Sequence, residues 1–305
     1  MKVALLAGGT GGAKLAAGLQ DLIGADLAVI VNTADDVEVH GLHVSPDPDL
    51  VTYWLSGEID SERGFGIRDD TSVVSERLQR LGAPGWFELG DLDLAVCIYR
   101  TTFRAEGGTL TAAQGQIARA LGATARVLPM CEQPVRTRVR TSTGWRGLQE
   151  FLILDHGAAP IEAVEIDGLG EAAPTAEALE ALASADAIVV GPSNPVISIG
   201  PILAMPSLRE AIQASPAPVI AVSPFVAGRA IKGPTEAFMA AVGRPVSAAG
   251  VVSLYAGLLD AIVVDDGDPD AAPEELRSLV CPTLMEGAEG RRALAERVIE
   301  LAGEL

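Results

Sequence analysis

The chain has 305 residues, 49% of them hydrophobic and 4% aromatic, with 41 acidic against 22 basic side chains and a formal charge of −19. That much apolar material excludes a disordered chain, no apolar run reaches the roughly 20 residues that span a bilayer, and the charge excludes a surface built for nucleic acid. The three cysteines, Cys97, Cys131 and Cys281, are odd in number, far apart and without a CxxC pair, which reads as free buried thiols in a reducing cytoplasm.

The first element is an apolar run, "KVALLAG", expected as a strand, followed by Gly8-Gly9-Thr10-Gly11-Gly12-Ala13-Lys14 and a helix from about Lys14 to Ile23. A strand–turn–helix of this kind aims the N–H groups of the first helical turn at an anion. It is neither a Walker loop, since Leu15 follows Lys14, nor the GxGxxG of a dinucleotide site, since Lys14 stands where the third glycine belongs. A tight turn that merely lets helix pack on strand is the plainer alternative.

"DLAVIVNTADD" follows as the second strand, with Asn32 and Thr33 at its tip as ligand donors and Asp35 or Asp36 as metal ligands, or all as turn residues. In "HGLHVSPDPDL", Asp47 and Asp49 are two apart in what reads as a proline-stiffened, solvent-facing loop. Carboxylates so spaced can share Mg²⁺ or supply a base for a hydroxyl. His40 and His43 lack a cysteine or third histidine and do not make a zinc site.

Residues 46 to about 120 read as loops and short helices. "FELGDLDLAVCIYRTT" offers Glu88, Asp91, Asp93 and Arg100, to face a site or cap a helix. Pro134 to Ile153 alternates and turns at Ser142–Gly144, the pattern of an antiparallel hairpin.

Further apolar runs, "ATARVLPM", "ADAIVVGPSN", "APVIAVSPF" and "LDAIVVDDGD", are continuous rather than alternating, as for strands covered on both faces. After the second of these, Ser193, Asn194, Pro195 and Ser198 form a stiff polar loop suited to a ligand; after the third, Arg229 and Lys232 are candidates for phosphate contact. "DDGDPDAAPEE" reads as an acidic loop rather than a calcium site. The expected fold is α/β: a doubly wound, Rossmann-like parallel sheet with a central inserted subdomain. It forms one compact unit over 1–305, with a nucleotide-binding core from about 1–45 and 155–305 and an insertion over 46–154.

Taken together, "LAGGTGGAKLA", "VNTADD", "HGLHVSPDPD", "LGDLDLA", "LPMCEQPVRTRV", "GPSNPVISIGPILAMPSLREA" and "VSPFVAGRAIKGP" resemble the 2-phospho-L-lactate transferase family of coenzyme F420 biosynthesis. The resemblance implies a Mg²⁺-assisted phosphotransferase, cytoplasmic and homodimeric. Its donor is a guanosine diphosphate derivative of lactate, enolpyruvate or glycerate. Its acceptor is the 5′-hydroxyl of the deazaflavin 7,8-didemethyl-8-hydroxy-5-deazariboflavin (Fo), and GMP is released. It implies Asp47 and Asp49 as catalytic and metal-binding. Gly8, Gly9, Thr10, Gly11, Gly12, Lys14, Asn32, Ser193, Asn194, Pro195 and Lys232 would lie on the donor, with Asp49 and Glu88 on Fo in the inserted region.

Several positions depart from the family's pattern: Glu88 where lysine is frequent, Leu92 for an arginine, and Cys97 with Val96 where a histidine is usual. Asp47-Pro48-Asp49-Leu50 stands for D-L-D-T and Leu148-Gln149-Glu150 for F-Q-[DE]. They cluster in the acceptor half, so guanosine diphosphate binding is expected to persist while acceptor or small-acid preference differs. Two rival classes are a non-catalytic nucleotide-sugar-binding regulator similar to the gluconeogenesis factor family and an NAD-dependent oxidoreductase.

Overall fold

The computed structural model describes residues 1–268 and 276–305. Seven strands form its central sheet: β1 (Val3–Ala7), β2 (Leu27–Val31), β3 (Arg126–Pro129), β4 (Ala187–Val190), β5 (Val219–Val222), β6 (Ala261–Asp265) and β7 (Arg277–Cys281). All pair in parallel, in the order β7-β6-β5-β4-β1-β2-β3. The order reverses between β1 and β4, and the crevice beyond the carboxyl ends of those two strands is where such sheets bind ligands.

The continuous apolar runs arise because both faces of the sheet are covered. Val3, Leu5 and Ala7 point into one core with helix α1 (Gly9–Ile23), helix α2 (Pro46–Ser56) and the C-terminal helix Gly287–Glu304. Ala4 and Leu6 point into the other, with helices Ala176–Ala183, Pro206–Ala214 and Ala248–Leu254. Leu15 and Leu19 of α1 are wholly buried, each stabilising the fold by about 1.5–3 kcal/mol. α1 can lie this close to the C-terminal helix because position 18 is glycine: a Cβ there would come within 2.3 Å of the Arg291 carbonyl oxygen.

Three expectations change. First, Pro46–Ser56 is a helix rather than a loop. Pro46 and Pro48 fall in its first turn, where no intrahelical N–H partner is required. Second, the proposed insertion of 46–154 is interrupted: α2 belongs to the main core, and β3 is an edge strand of the central sheet. Third, the smaller antiparallel sheet, Arg136–Thr141 with Gly144–Gly147 and Ala163–Asp167, runs past the expected boundary. The hairpin turn itself is where the alternation put it, though Leu148–Ile153 turns into a helix.

Between α2 and β3 lie a loop over 57–72 and helices α3 (Val73–Arg80), α4 (Asp91–Ala105) and α5 (Leu110–Leu121), of which Ile59, Ile67 and Ala118 join the main core. Asp70 accepts the Leu92 and Asp93 N–H groups at the start of α4, and Asp91 accepts those of Val73 and Val74 at the start of α3, so the two helix starts cap each other. Of the acidic stretch 265–275, residues 269–275 lie outside the described residues; Asp265 accepts from the Thr283 N–H and hydroxyl.

Candidate active site

Gly8 is extended and α1 begins at Gly9, so the glycine run forms the first turns of the helix rather than a loop before it. Space explains much of it. A Cβ on Gly11 would meet the Pro192 carbonyl oxygen at 2.0 Å, and one on Gly8 would meet Asp47 Oδ2 at 2.6 Å; Gly9 has room but sits at φ +63. The Gly9 N–H donates to Asp47 Oδ1 at 2.7 Å and those of Gly8 and Gly12 to Ser193 Oγ at 3.3 and 3.1 Å. Ser193 therefore serves the turn. Of the donors a helix start leaves unpaired, the Thr10 and Gly11 N–H groups stay open to a ligand among the described residues.

Asn32, fully buried at the tip of β2, donates to Asp35 Oδ1 at 3.0 Å, to Asp47 Oδ2 at 2.9 Å and to the Ile197 carbonyl at 3.3 Å. It is thus a bridge between two carboxylates. Burial raises the carboxyl of Asp35 well above the ordinary range, helped by the charge of Asp47, and burial pushes Asp47 up to about 6 against the hydrogen bonds from Asn32 and Gly9. Asn194 is occupied locally, accepting from Val196 and Ile197 N–H and donating to Thr235 Oγ1. Pro195 is buried in the same turn.

Asp49 sits one helical position beyond Pro48 and forms a buried ion pair with Arg100 of α4, whose side chain is 0% exposed. The guanidinium also donates to the His43 carbonyl and to Gln114 Oε1, both at 3.2 Å. Burial pushes Asp49 upward and Arg100 partly offsets it. His43 Nε2 lies 2.8 Å from Asp36 Oδ2, while Asp36 Oδ1 accepts from Ser45 Oγ at 2.7 Å. These contacts fix the segment entering α2, and they give His43 a structural place. Neither Asp47 nor Asp49 faces open solvent: both are buried, 5% and 6% exposed.

Beside this cluster is a cavity of ≈ 710 Å³, lined by Asp47, Asp49 and Asp93, by apolar Tyr53, Phe65, Ile67, Phe87 and Leu89, and by Glu88 at its rim. Cys97 closes its wall, and burial pushes that thiol up to about 12. Asp93 is likewise raised to about 6, by burial first and then by Asp49 and Asp70 against the Tyr53 hydroxyl. One apolar wall of aromatic and aliphatic side chains, faced by carboxylates that include Asp70 and Glu76, suits a flat aromatic ligand that carries polar substituents.

The loop over 57–72 spans from this cavity to the glycine turn. Its carbonyls at Arg63 and Gly64 meet Lys232 Nζ at 3.2 Å and Thr10 Oγ1 at 3.5 Å, while Phe65 and Ile67 line the cavity. Lys14 lies over the Trp54 ring, 5.7 Å from its centroid. Sequence reasoning brought Asp47, Asp49, Glu88 and the glycine turn to one place. It underweighted Arg100, whose only signal was a lone cation in the acidic "GDLDLAVCIYRTT", and it assigned Asp35 no more than an alternative.

For magnesium, the fitting feature is the Asp35–Asn32–Asp47 arrangement, where two buried carboxylates crowd one amide and a cation would relieve both. Among the described residues no group of three or more His, Cys, Asp or Glu is placed to hold a metal ion, so phosphate and water oxygens would complete the shell, as is usual for this ion. Asp49 fits less well, because Arg100 already neutralises it.

A doubly wound parallel sheet with an anion-competent helix start at its switch point, facing a carboxylate-lined pocket, defines an α/β protein with its ligand crevice at the strand tips. Comparison with known proteins narrows this. The family described as 2-phospho-L-lactate transferase CofD matches over residues 3–287. The 2-phospho-L-lactate transferases of Methanosarcina barkeri and Methanopyrus kandleri are 38% identical over 302 residues and 39% over 309, covering 97% and 100% of this chain and 97% and 99% of theirs. The phosphoenolpyruvate transferase of Streptomyces griseus is 39% identical over 316 residues, covering 100% of this chain and 99% of that one. A UPF0052 family member from Bacillus halodurans shares the fold, with a TM-score of 0.68 at 17% identity, covering 98% of this chain and 100% of that one. The chain belongs to the 2-phospho-L-lactate transferase CofD family and is a transferase, which sets aside the regulator and the oxidoreductase. No helix among the described residues is long and apolar enough to cross a membrane.

Proposed function

We propose that this transferase acts in coenzyme F420 biosynthesis. It moves a phospho-small-acid group (2-phospholactyl, phosphoenolpyruvyl or 3-phosphoglyceryl) from a guanosine diphosphate derivative to the 5′-hydroxyl of Fo and releases GMP. One observation carries the reading: the Asp47 carboxylate touches the glycine turn through the Gly9 N–H and also lines the cavity. A donor phosphate on the open Thr10 and Gly11 N–H groups and a deazaflavin ring in the cavity would meet at that carboxylate.

Asp47 accepts the hydroxyl proton as the acceptor oxygen bonds to the phosphorus bearing the small acid and the bond from that phosphorus to the GMP oxygen breaks. A base near 6 is suited to this at neutral pH. Asp49, fixed by Arg100, orients the acceptor, and Lys14 and Lys232 hold the diphosphate. Mg²⁺, when bound, would neutralise phosphate charge, held from the Asp35 side of the Asn32 bridge with phosphate and water oxygens completing its shell. Relatives named for lactate and for enolpyruvate are equally similar, at 38–39%, so all three acids are kept as donors in the test.

The test is Fo with Mg²⁺ and each of the three donors, products resolved by mass. One donor should yield the matching phosphodiester and GMP; no GMP from any of them overturns the reading. We also read the protein as a cytoplasmic homodimer, with its three buried free thiols suited to a reducing compartment; light scattering on the purified chain tests the dimer.

A further inference from the structure

The C-terminal helix carries three arginines close together, and one behaves differently. Arg292 and Arg297 pair with Glu296 and Glu300 on the exposed face. Arg291 turns inward instead: its guanidinium lies over the Trp54 ring, 5.1 Å from the centroid, and its buried Nε has no hydrogen-bond partner among the described residues. Gly18 makes this possible, since it lets the Arg291 backbone settle directly on α1. Lys14 lies over the same ring.

The Lys14 ammonium gives up its proton more readily than an ordinary lysine, first because it is partly buried and then because Lys232 and Arg291 are within Coulomb reach, with Glu286 opposing. Three cations thus converge beside the glycine turn of a chain with a charge of −19, and none of the three has an ion-pair partner among the described residues. Like charges held together with no direct ion pair, Glu286 alone opposing them from a distance, are a site that an anion stabilises.

We propose that Lys14, Lys232 and Arg291 form one diphosphate-binding cluster and that Arg291, beyond the residues matched by the family, is its third donor-binding cation. The inference rests on the guanosine diphosphate reading above. It is tested by calorimetry on the full chain with GDP, inorganic pyrophosphate and Fo. Arg291→Gln should weaken GDP and pyrophosphate by about tenfold or more, Arg291→Lys should restore most of the loss, and Arg292→Gln should bind as the parent does. Fo affinity should not change in any of them. An Arg291→Gln protein that binds both phosphates as tightly as the parent overturns the proposal. If the parent binds pyrophosphate through Arg291 but not GDP, the cluster stands and the guanosine donor falls; if the parent binds neither, both fall.

Discussion

Arg100 and Asp49 lie 51 residues apart in the chain and meet as an ion pair with side chains 0% and 9% exposed. Truncating one partner strands a buried charge, whereas replacing both with apolar groups does not. Arg100→Ala should therefore lower the unfolding free energy by about 3–5 kcal/mol. Asp49→Leu with Arg100→Met should recover much of that stability without activity. Urea titrations of the two variants check this; equal losses in both would show that the pair carries no net charge energetics.

Asp47 gives a pH dependence whose sign is fixed. Its carboxyl, at about 6 in the folded protein against 3.8 unfolded, holds its proton more tightly when folded. The stability this contributes is fully present below the unfolded value and is lost as pH rises through about 6. Asp93 acts in the same direction and window. Unfolding midpoints measured from pH 3.5 to 7.5 should fall across this range, and Asp47→Asn should flatten part of the fall. The same variant should lose turnover by about 10²-fold or more as a base is removed.

The glycines separate by what each position demands. Gly11→Ala places a methyl against the Pro192 carbonyl and should cost about 1–3 kcal/mol as the turn is overpacked, with GDP affinity falling alongside. Gly9→Ala meets no such obstacle but must hold a positive φ, costing about 1–2 kcal/mol. Thermal melts paired with calorimetry on both variants distinguish a turn built for packing from one built for the ligand: a Gly11→Ala protein with intact stability and no GDP binding would reverse the assignment.

Glu88 stands at the cavity rim with an exposed side chain. If the proposed acceptor Fo enters here, Glu88→Lys, which reverses the charge at the rim, should lower its KM by about threefold to tenfold, of the order that one partly exposed charge contributes. Glu88→Ala should shift it little. Steady-state kinetics with Fo varied would show whether this rim selects the acceptor.

Six of the seven sheet strands were legible because each is covered on both faces and reads as an unbroken apolar run. β7 was not: in Arg277–Cys281 only the last residue is buried, so its sequence carries no such signal. The helix at Pro46 was hidden by its two prolines, which mark a loop as readily as a first turn. The grouping of the candidate site was legible where motifs are local, at Asp47, Asp49 and the glycines. It was opaque where partners are remote. Nothing in "YRTT" announces that Arg100 reaches Asp49, and nothing near Arg291 announces Trp54, because such pairings are made by the packing of helices distant in sequence.

The seating of the C-terminal helix on α1 also bears on how the protein is made. The helix that carries the glycine turn is synthesised early, yet one of its apolar sides is covered only when Gly287–Glu304 has emerged. At roughly 5–20 residues per second, that leaves on the order of tens of seconds in which a nascent α1 has no cover. The glycine turn is therefore among the last parts of the molecule to become solid, and a ribosome stalled before that helix holds a chain whose first helix is still bare on one side.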